Sequence, residues 1–147
     1  MRCASFAVFL VVVGTLACEE PDIYNTARQA CVDKINAYRA GLGLPPYQRW
    51  TAAEGCADSE AATDSSTGVF HSAFPRCGES AQNECPGWSS VRSITDGCLD
   101  MMWAEGPPGP PGEHGHYVNM SNPRYTMVAC GFAVTSGGAV WAVQDFR

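Results

Sequence analysis

The sequence predicts an α/β fold, a disulfide-stabilised three-layer α–β–α sandwich, on three observations. Two β-rich runs, residues 126–134 and 139–146, carry apolar side chains on both faces, as Val128, Cys130 and Phe132 or Trp141 and Val143 show. Strands buried on both sides require helices above and below them. Upstream, apolar residues recur at helical spacing in three segments. Six cysteines, Cys31, Cys56, Cys77, Cys85, Cys98 and Cys130, are even in number and can close as three disulfides.

The N-terminus addresses the chain out of the cytoplasm. Met1-Arg2 is a short basic start, residues 6–13 are an almost unbroken apolar run, and Thr15 and Ala17 stand at the small-residue positions for cleavage before Cys18. Residues 1–17 are therefore assigned as a signal peptide, too short to remain as a membrane span. Thr15-Leu16-Ala17-Cys18 also resembles a bacterial lipobox, which makes Cys18 a candidate lipidation site and residues 18–23 a tether. Setting aside Cys3 and Cys18 leaves the even set of cysteines, in keeping with acylation of Cys18 and with an oxidising compartment. Fifteen pairings of the six are possible, and the short spacing of Cys77 and Cys85 makes them the pair expected from proximity. Residues 24–147 suffice for one domain. A net charge of −6 without a basic cluster argues against nucleic acid as a partner.

Each element follows from local pattern. Tyr24, Ala27, Cys31, Ile35, Tyr38 and Leu42 define one face of a first helix, with Arg28, Asp33, Lys34 and Arg39 on the other; Gly41, Gly43 and Pro45-Pro46 end it. Thr51 and Glu54 have the spacing of a capping box for a second helix over residues 52–62. Its narrow face is Ala53, Cys56, Ala57, Glu60 and Ala61, and residues 64–68 read as a polar turn. Residues 79–85 suit a short strand, although Ala-Gln-Asn-Glu is weak strand composition. Ser89 or Ser90 caps a third helix whose apolar stripe, Val91, Ile94, Cys98 and Met101 or Met102, runs on into Glu105. A carboxylate at a helix C-terminus opposes the macrodipole and asks for an imidazolium, a proton or a metal ion nearby. Gly106-Pro-Pro-Gly-Pro-Pro-Gly112 is a semi-rigid surface loop, and Thr135-Ser136-Gly137-Gly138 a hairpin turn between the last two strands.

The chemistry-bearing residues cluster around that loop. His114 and His116 would face the same way in an extended backbone, and with His71 they would offer an open three-histidine zinc site. Gly115 lets the backbone leave a strand, and a plain loop role is the commoner one for His114. Glu79 and Glu105 are candidate acid and base, for instance in glycoside cleavage, but a solvated or histidine-paired carboxylate explains Glu79 equally well. No Gly-x-Ser-x-Gly elbow supports a serine hydrolase, and the cysteines read as disulfides rather than nucleophiles.

Taken in order, several motifs resemble the CAP superfamily, which comprises cysteine-rich secretory proteins, antigen-five venom proteins and plant pathogenesis-related group-one proteins. They are Asn36-Ala37-Tyr38-Arg39, His71-Ser72, Gly78-Glu79, Trp103-Ala104-Glu105, Gly115-His116-Tyr117 and Val128-Ala129-Cys130-Gly131. The lipobox-like start and Asn119-Met-Ser-Asn-Pro123 are more similar to a bacterial branch. The resemblance implies an SCP-type sandwich whose central cleft gathers His71, Glu79, Glu105 and His116, with His71 and His116 binding a divalent metal such as zinc. It gives His114 no counterpart. The implied function is binding outside the cytoplasm, with a sterol, a lipid or an extracellular protein as ligand and no established catalysis. The membrane would be reached only through a lipid on Cys18. The alternative is a metal-assisted, protease-like hydrolase in which Glu79 or Glu105 activates water.

Overall fold

A computed structural model describes residues 23–109 and 114–147. The expected signal peptide, Cys18 and all of the tether but Ile23 lie outside the described residues. The elements run α1 (Asn25–Gly41), β1 (Gln48–Arg49), a 3-10 turn (Thr51–Ala53), α2 (Glu54–Thr67), β2 (Ala81–Trp88), α3 (Val91–Ser93), a π-helical stretch (Ile94–Cys98), α4 (Leu99–Ala104), α5 (Gly115–Ser121), β3 (Met127–Val134) and β4 (Val140–Phe146). The strands form one sheet in the order β1-β3-β4-β2, with β1 parallel to β3 and the other pairs antiparallel.

The two faces of the sheet are covered differently. On one, Ala53, Ala57 and Ala61 of α2 and the turn before it pack against Ala129 and Val143. On the other, α1, the α3–α4 region and Met120 of α5 enclose Val128, Cys130, Phe132, Val140, Ala142 and Phe146. The strands are thus buried on both sides, and the fold is the three-layer α–β–α sandwich. The small-residue face of α2 has a direct consequence: a Cβ on Gly131 would lie 2.2 Å from the Ala57 carbonyl carbon, so helix and strand backbones touch there.

Local expectations were altered where tertiary partners compete. Arg28 and Arg39 are on the buried side of α1, at 4% and 1% exposure, not on its solvent face. Arg28 donates to both Asp58 carboxylate oxygens, at 2.9 and 2.7 Å, and to the Cys130 carbonyl at 2.8 Å. Arg39 donates to the carbonyls of Pro45, Met120 and Asn122 and stacks 3.6 Å above the Tyr47 ring. The Thr51/Glu54 capping box does not form, because the Glu54 carboxylate instead accepts from Arg49 at 2.5 and 2.9 Å. Helix α2 runs through the expected turn to Thr67 and stops at left-handed Gly68 (φ 67°). The expected serine cap is found at Ser90, whose hydroxyl accepts from Ser93 N–H.

All six cysteines of the domain are bonded, as Cys31–Cys130, Cys56–Cys77 and Cys85–Cys98. The expected Cys77–Cys85 bond is therefore replaced. Cys85 is in β2 with its sulfur in the core on the α1 side, beside the π-helical stretch, whereas Cys77 precedes β2 and meets α2. Cys31–Cys130 closes 99 residues, and a loop of that size constrains the unfolded chain by about 4–5 kcal/mol in the chain-entropy account.

Gly131→Ala tests the α2–β3 contact. The variant is expected to lose at least about 1–3 kcal/mol of stability in denaturant unfolding; a change within about 0.5 kcal/mol would show that the layers are free to separate.

Candidate functional site

Strand β2 organises the site because it is an edge strand with three consecutive buried polar residues, two of which face Asp145 and Gln144 of β4. Gln82, Asn83 and Glu84 are buried, at 7%, 0% and 5% exposure. Side chains alternate across a strand, so Gln82 and Glu84 face the α2 side while Asn83 faces α5. Asn83 donates to the His116 carbonyl at 3.2 Å and accepts from Asn119 at 2.9 Å. Gln82 and Glu84 take hold of the loop carrying His71.

His71 has φ 54°, a left-handed conformation uncommon outside glycine. It is held at both ends: its N–H donates to Glu84 Oε2 at 2.8 Å, and its Nδ1 lies 2.8 Å from Gln82 Oε1. The Gln82 Nε2 group donates to Glu60 and Asp145 at 2.7 and 2.9 Å, which fixes the amide orientation and turns its oxygen to His71. Nδ1 of His71 therefore carries a hydrogen, which leaves Nε2 as the ring nitrogen open to a ligand.

His116 reaches the same state by another route. Glu105 follows α4, and its Oε2 accepts from the N–H groups of His116 and Tyr117 at 3.1 and 3.3 Å. Its Oε1 accepts from His116 Nδ1. The compensation that Glu105 requires at a helix C-terminus is thus supplied by the first turn of α5 and the His116 ring. Nε2 of His116 is again the ring nitrogen left without a partner in this contact.

The two rings share a depression of about 330 Å³ lined by Phe70, His71, Glu84, Pro86 and His116. A larger one of about 520 Å³ continues past Glu84, Pro86 and His116 to Trp88, Met101, Met102 and Glu105. Glu84 stands where the two meet. Its Oε1 is buried without a hydrogen-bond partner, and burial raises the carboxyl above its ordinary pKa against the opposing pull of the His71 N–H.

Two sequence expectations are changed by this geometry. Glu79 does not line the cleft: its carboxylate gathers with Glu60 and Asp145, the group to which Gln82 donates. Glu84 stands in the cleft where Glu79 was expected. His114 and His116 do not share an extended segment, because α5 begins at Gly115 and turns His114 away. The His114 ring lies 2.7 and 3.0 Å from the Glu105 and Gly106 carbonyls through Nδ1, and 2.8 Å from the Gly109 carbonyl through Nε2. The residues missed from sequence, Gln82 and Glu84, left one signal: consecutive polar residues in a segment that has to pair with a buried strand.

Comparison with known proteins follows the geometry. The model of the family described as "CAP: Cysteine-rich secretory protein family" matches residues 32–146. A comparison with curated protein sequences returns no significant match. Among solved structures the chain is similar to BmVAL-1, with 18% identity and TM-score 0.66 over 88% of this chain and 80% of the other. It is similar to the hookworm platelet inhibitor, with 14% identity and TM-score 0.63 over 90% and 75%. NaASP2, in a structure with Zn2+, shares 15% identity and TM-score 0.57 over 86% and 82%. At these identities the likeness is one of fold.

The His114 contacts generate a titration prediction. Carbonyls on both ring nitrogens favour the imidazolium, so its pKa is raised, first through the Gly109 carbonyl. A raised folded-state pKa means stability present in full below about pH 6.5 and lost as pH rises through the folded value. An NMR titration should place the His114 midpoint above the ordinary histidine value of about 6.5; a midpoint at or below it would contradict the pairing.

Proposed function

Because this chain belongs to the CAP family of cysteine-rich secretory proteins, we propose that it is an extracytoplasmic binding module whose cleft takes a divalent cation, zinc foremost, through His71 and His116. The observation that carries this reading is the matched state of the two rings. Each has Nδ1 committed to an acceptor and Nε2 left open, in one shared depression. Outer partners that fix the tautomer in this way are the usual support of histidine ligands. The donors suit zinc: two imidazoles, each with Nδ1 held by an acceptor and Nε2 uncommitted, leave the remaining positions to water or a ligand. The NaASP2 structure with Zn2+ shows the metal in the company of this fold.

Disulfides support the oxidising location, and no helix among the described residues is long and apolar enough to cross a membrane. Attachment through a lipid on Cys18 is part of the same proposal. The cleft continues into an apolar wall of Pro86, Trp88, Met101 and Met102, with Phe70 and Met101 exposed at 59% and 66%. Such a wall suits a sterol or lipid, or an apolar side chain of an extracellular protein.

Glu84 favours a second reading, a metal-assisted hydrolase. A carboxylate of raised pKa bordering the cleft would, with a cation bound there, take a proton from water, the role assigned from sequence to Glu79 or Glu105. The cation would lower the pKa of that water.

Zinc titration by calorimetry should give one site that His71→Ala/His116→Ala abolishes and Glu84→Gln weakens by about tenfold or more. Equal zinc affinity in the double variant would remove the site assignment. Lipid retained stoichiometrically without turnover favours the binding module. Ester or peptide turnover that vanishes in Glu84→Gln while zinc still binds favours the hydrolase.

A further inference from the structure

On the α2 side of the sheet, Glu60 from α2, Glu79 from the segment before β2 and Asp145 from β4 bring carboxylate oxygens within 4.8 Å of one another. Their exposures are 0%, 6% and 0%. The Cys77 sulfur shares the neighbourhood but is bonded to Cys56, so the donors on offer are oxygens alone.

The hydrogen bonds to this group are few. Glu60 Oε1 accepts from the Arg76 N–H at 3.0 Å, and Glu60 Oε2 and Asp145 Oδ1 share the Gln82 amide. The Arg76 guanidinium is directed elsewhere, with Nη1 3.4 Å from Thr63 Oγ1. Both oxygens of Glu79 and Oδ2 of Asp145 are buried and accept from no N–H or O–H donor; their polar neighbours are the other carboxyl groups of the cluster. A buried carboxylate without a donor or counter-charge is costly, and here two neighbouring side chains leave three such oxygens in one place. Burial and mutual repulsion push Glu60 up to about 7 and Asp145 up to about 8, a cost that a shared proton or a bound cation relieves.

We propose that Glu60, Glu79 and Asp145 form a buried site for a hard divalent cation, calcium in the first instance, distinct from the histidine cleft. The three carboxylates make an all-oxygen set with at least one ligand atom from each, which suits calcium completed by water, and the absence of imidazole and free thiolate disfavours zinc. Magnesium, which gives up its water reluctantly, suits so enclosed a site less well. The cation would tie α2, the Cys56–Cys77 segment and β4 together. Its partner Gln82 is the residue that orients His71, so the acidic site and the cleft share one amide.

The test uses chelator-treated protein, titrated calorimetrically with calcium chloride and followed by thermal unfolding in millimolar calcium. One calcium per chain and a raised Tm are expected, in wild type and in His71→Ala/His116→Ala alike. Glu79→Gln and Asp145→Asn, checked for native circular dichroism, should each weaken calcium by about tenfold or more. Absence of both binding heat and a Tm shift in the wild type would overturn the proposal, leaving protons to be shared within the group. Calcium binding of unchanged affinity in natively folded Glu79→Gln and Asp145→Asn would overturn it equally, as would zinc binding there in preference to calcium. Because the histidine variant keeps this site, failure here is separable from failure of the cleft assignment.

Discussion

The edge strand β2 is the constraint on which the site depends. It pairs with β4 from Ala81 to Trp88, yet its central residues are polar and buried. A buried polar side chain has to find a partner, and strand alternation sends these partners to opposite sides. Glu84 and Gln82 reach the His71 loop on one side; Asn83 reaches the His116 carbonyl and Asn119 on the other. Both walls of the cleft are therefore referenced to one backbone, and the polarity that weakens β2 as a strand is what positions the histidines.

Helix α5 shows the same dependence from the other direction. Seven residues are too few for a helix to persist alone in water. Its first turn is held by Glu105, while Arg39 and Tyr47 bind the carbonyls at its far end. Arg39 reaches it from α1, on the far side of the core from α2. His116 is thus located by a chain of contacts that begins in the first helix and passes through a buried guanidinium.

The two faces of the sheet divide the labour. The α1 side is a conventional apolar core reinforced by Cys31–Cys130 and Cys85–Cys98. The α2 side is thin and made of alanine at one end and of carboxylates at the other. Close approach of α2 at Gly131 leaves no space for large side chains there. Glu60, which shares a helix face with Ala57 and Ala61, is consequently brought against Asp145. The histidine cleft and the acidic group are adjacent results of one close packing, joined by the Gln82 amide.

Sequence by itself determined the layered architecture, since residues apolar on both faces of Met127–Val134 and Val140–Phe146 require helices on both sides. It also determined the family, because Trp103-Ala104-Glu105, Gly115-His116-Tyr117 and their companions carry that likeness locally. Local pattern puts Glu60 on the small-residue face of α2 but does not single out Asp145, and nothing local makes neighbours of two residues 85 apart in the chain. Tertiary structure alone decided which carboxylates meet the histidines. Glu79 and Glu84 are both glutamates close to one strand, and local pattern does not distinguish them. The register of β2 against β4 does: it turns Glu84 into the cleft and leaves Glu79 outside the strand, beside the carboxylates of α2 and β4. The cysteine pairing was decided in the same way, because which sulfurs meet depends on which face of the sheet each one enters.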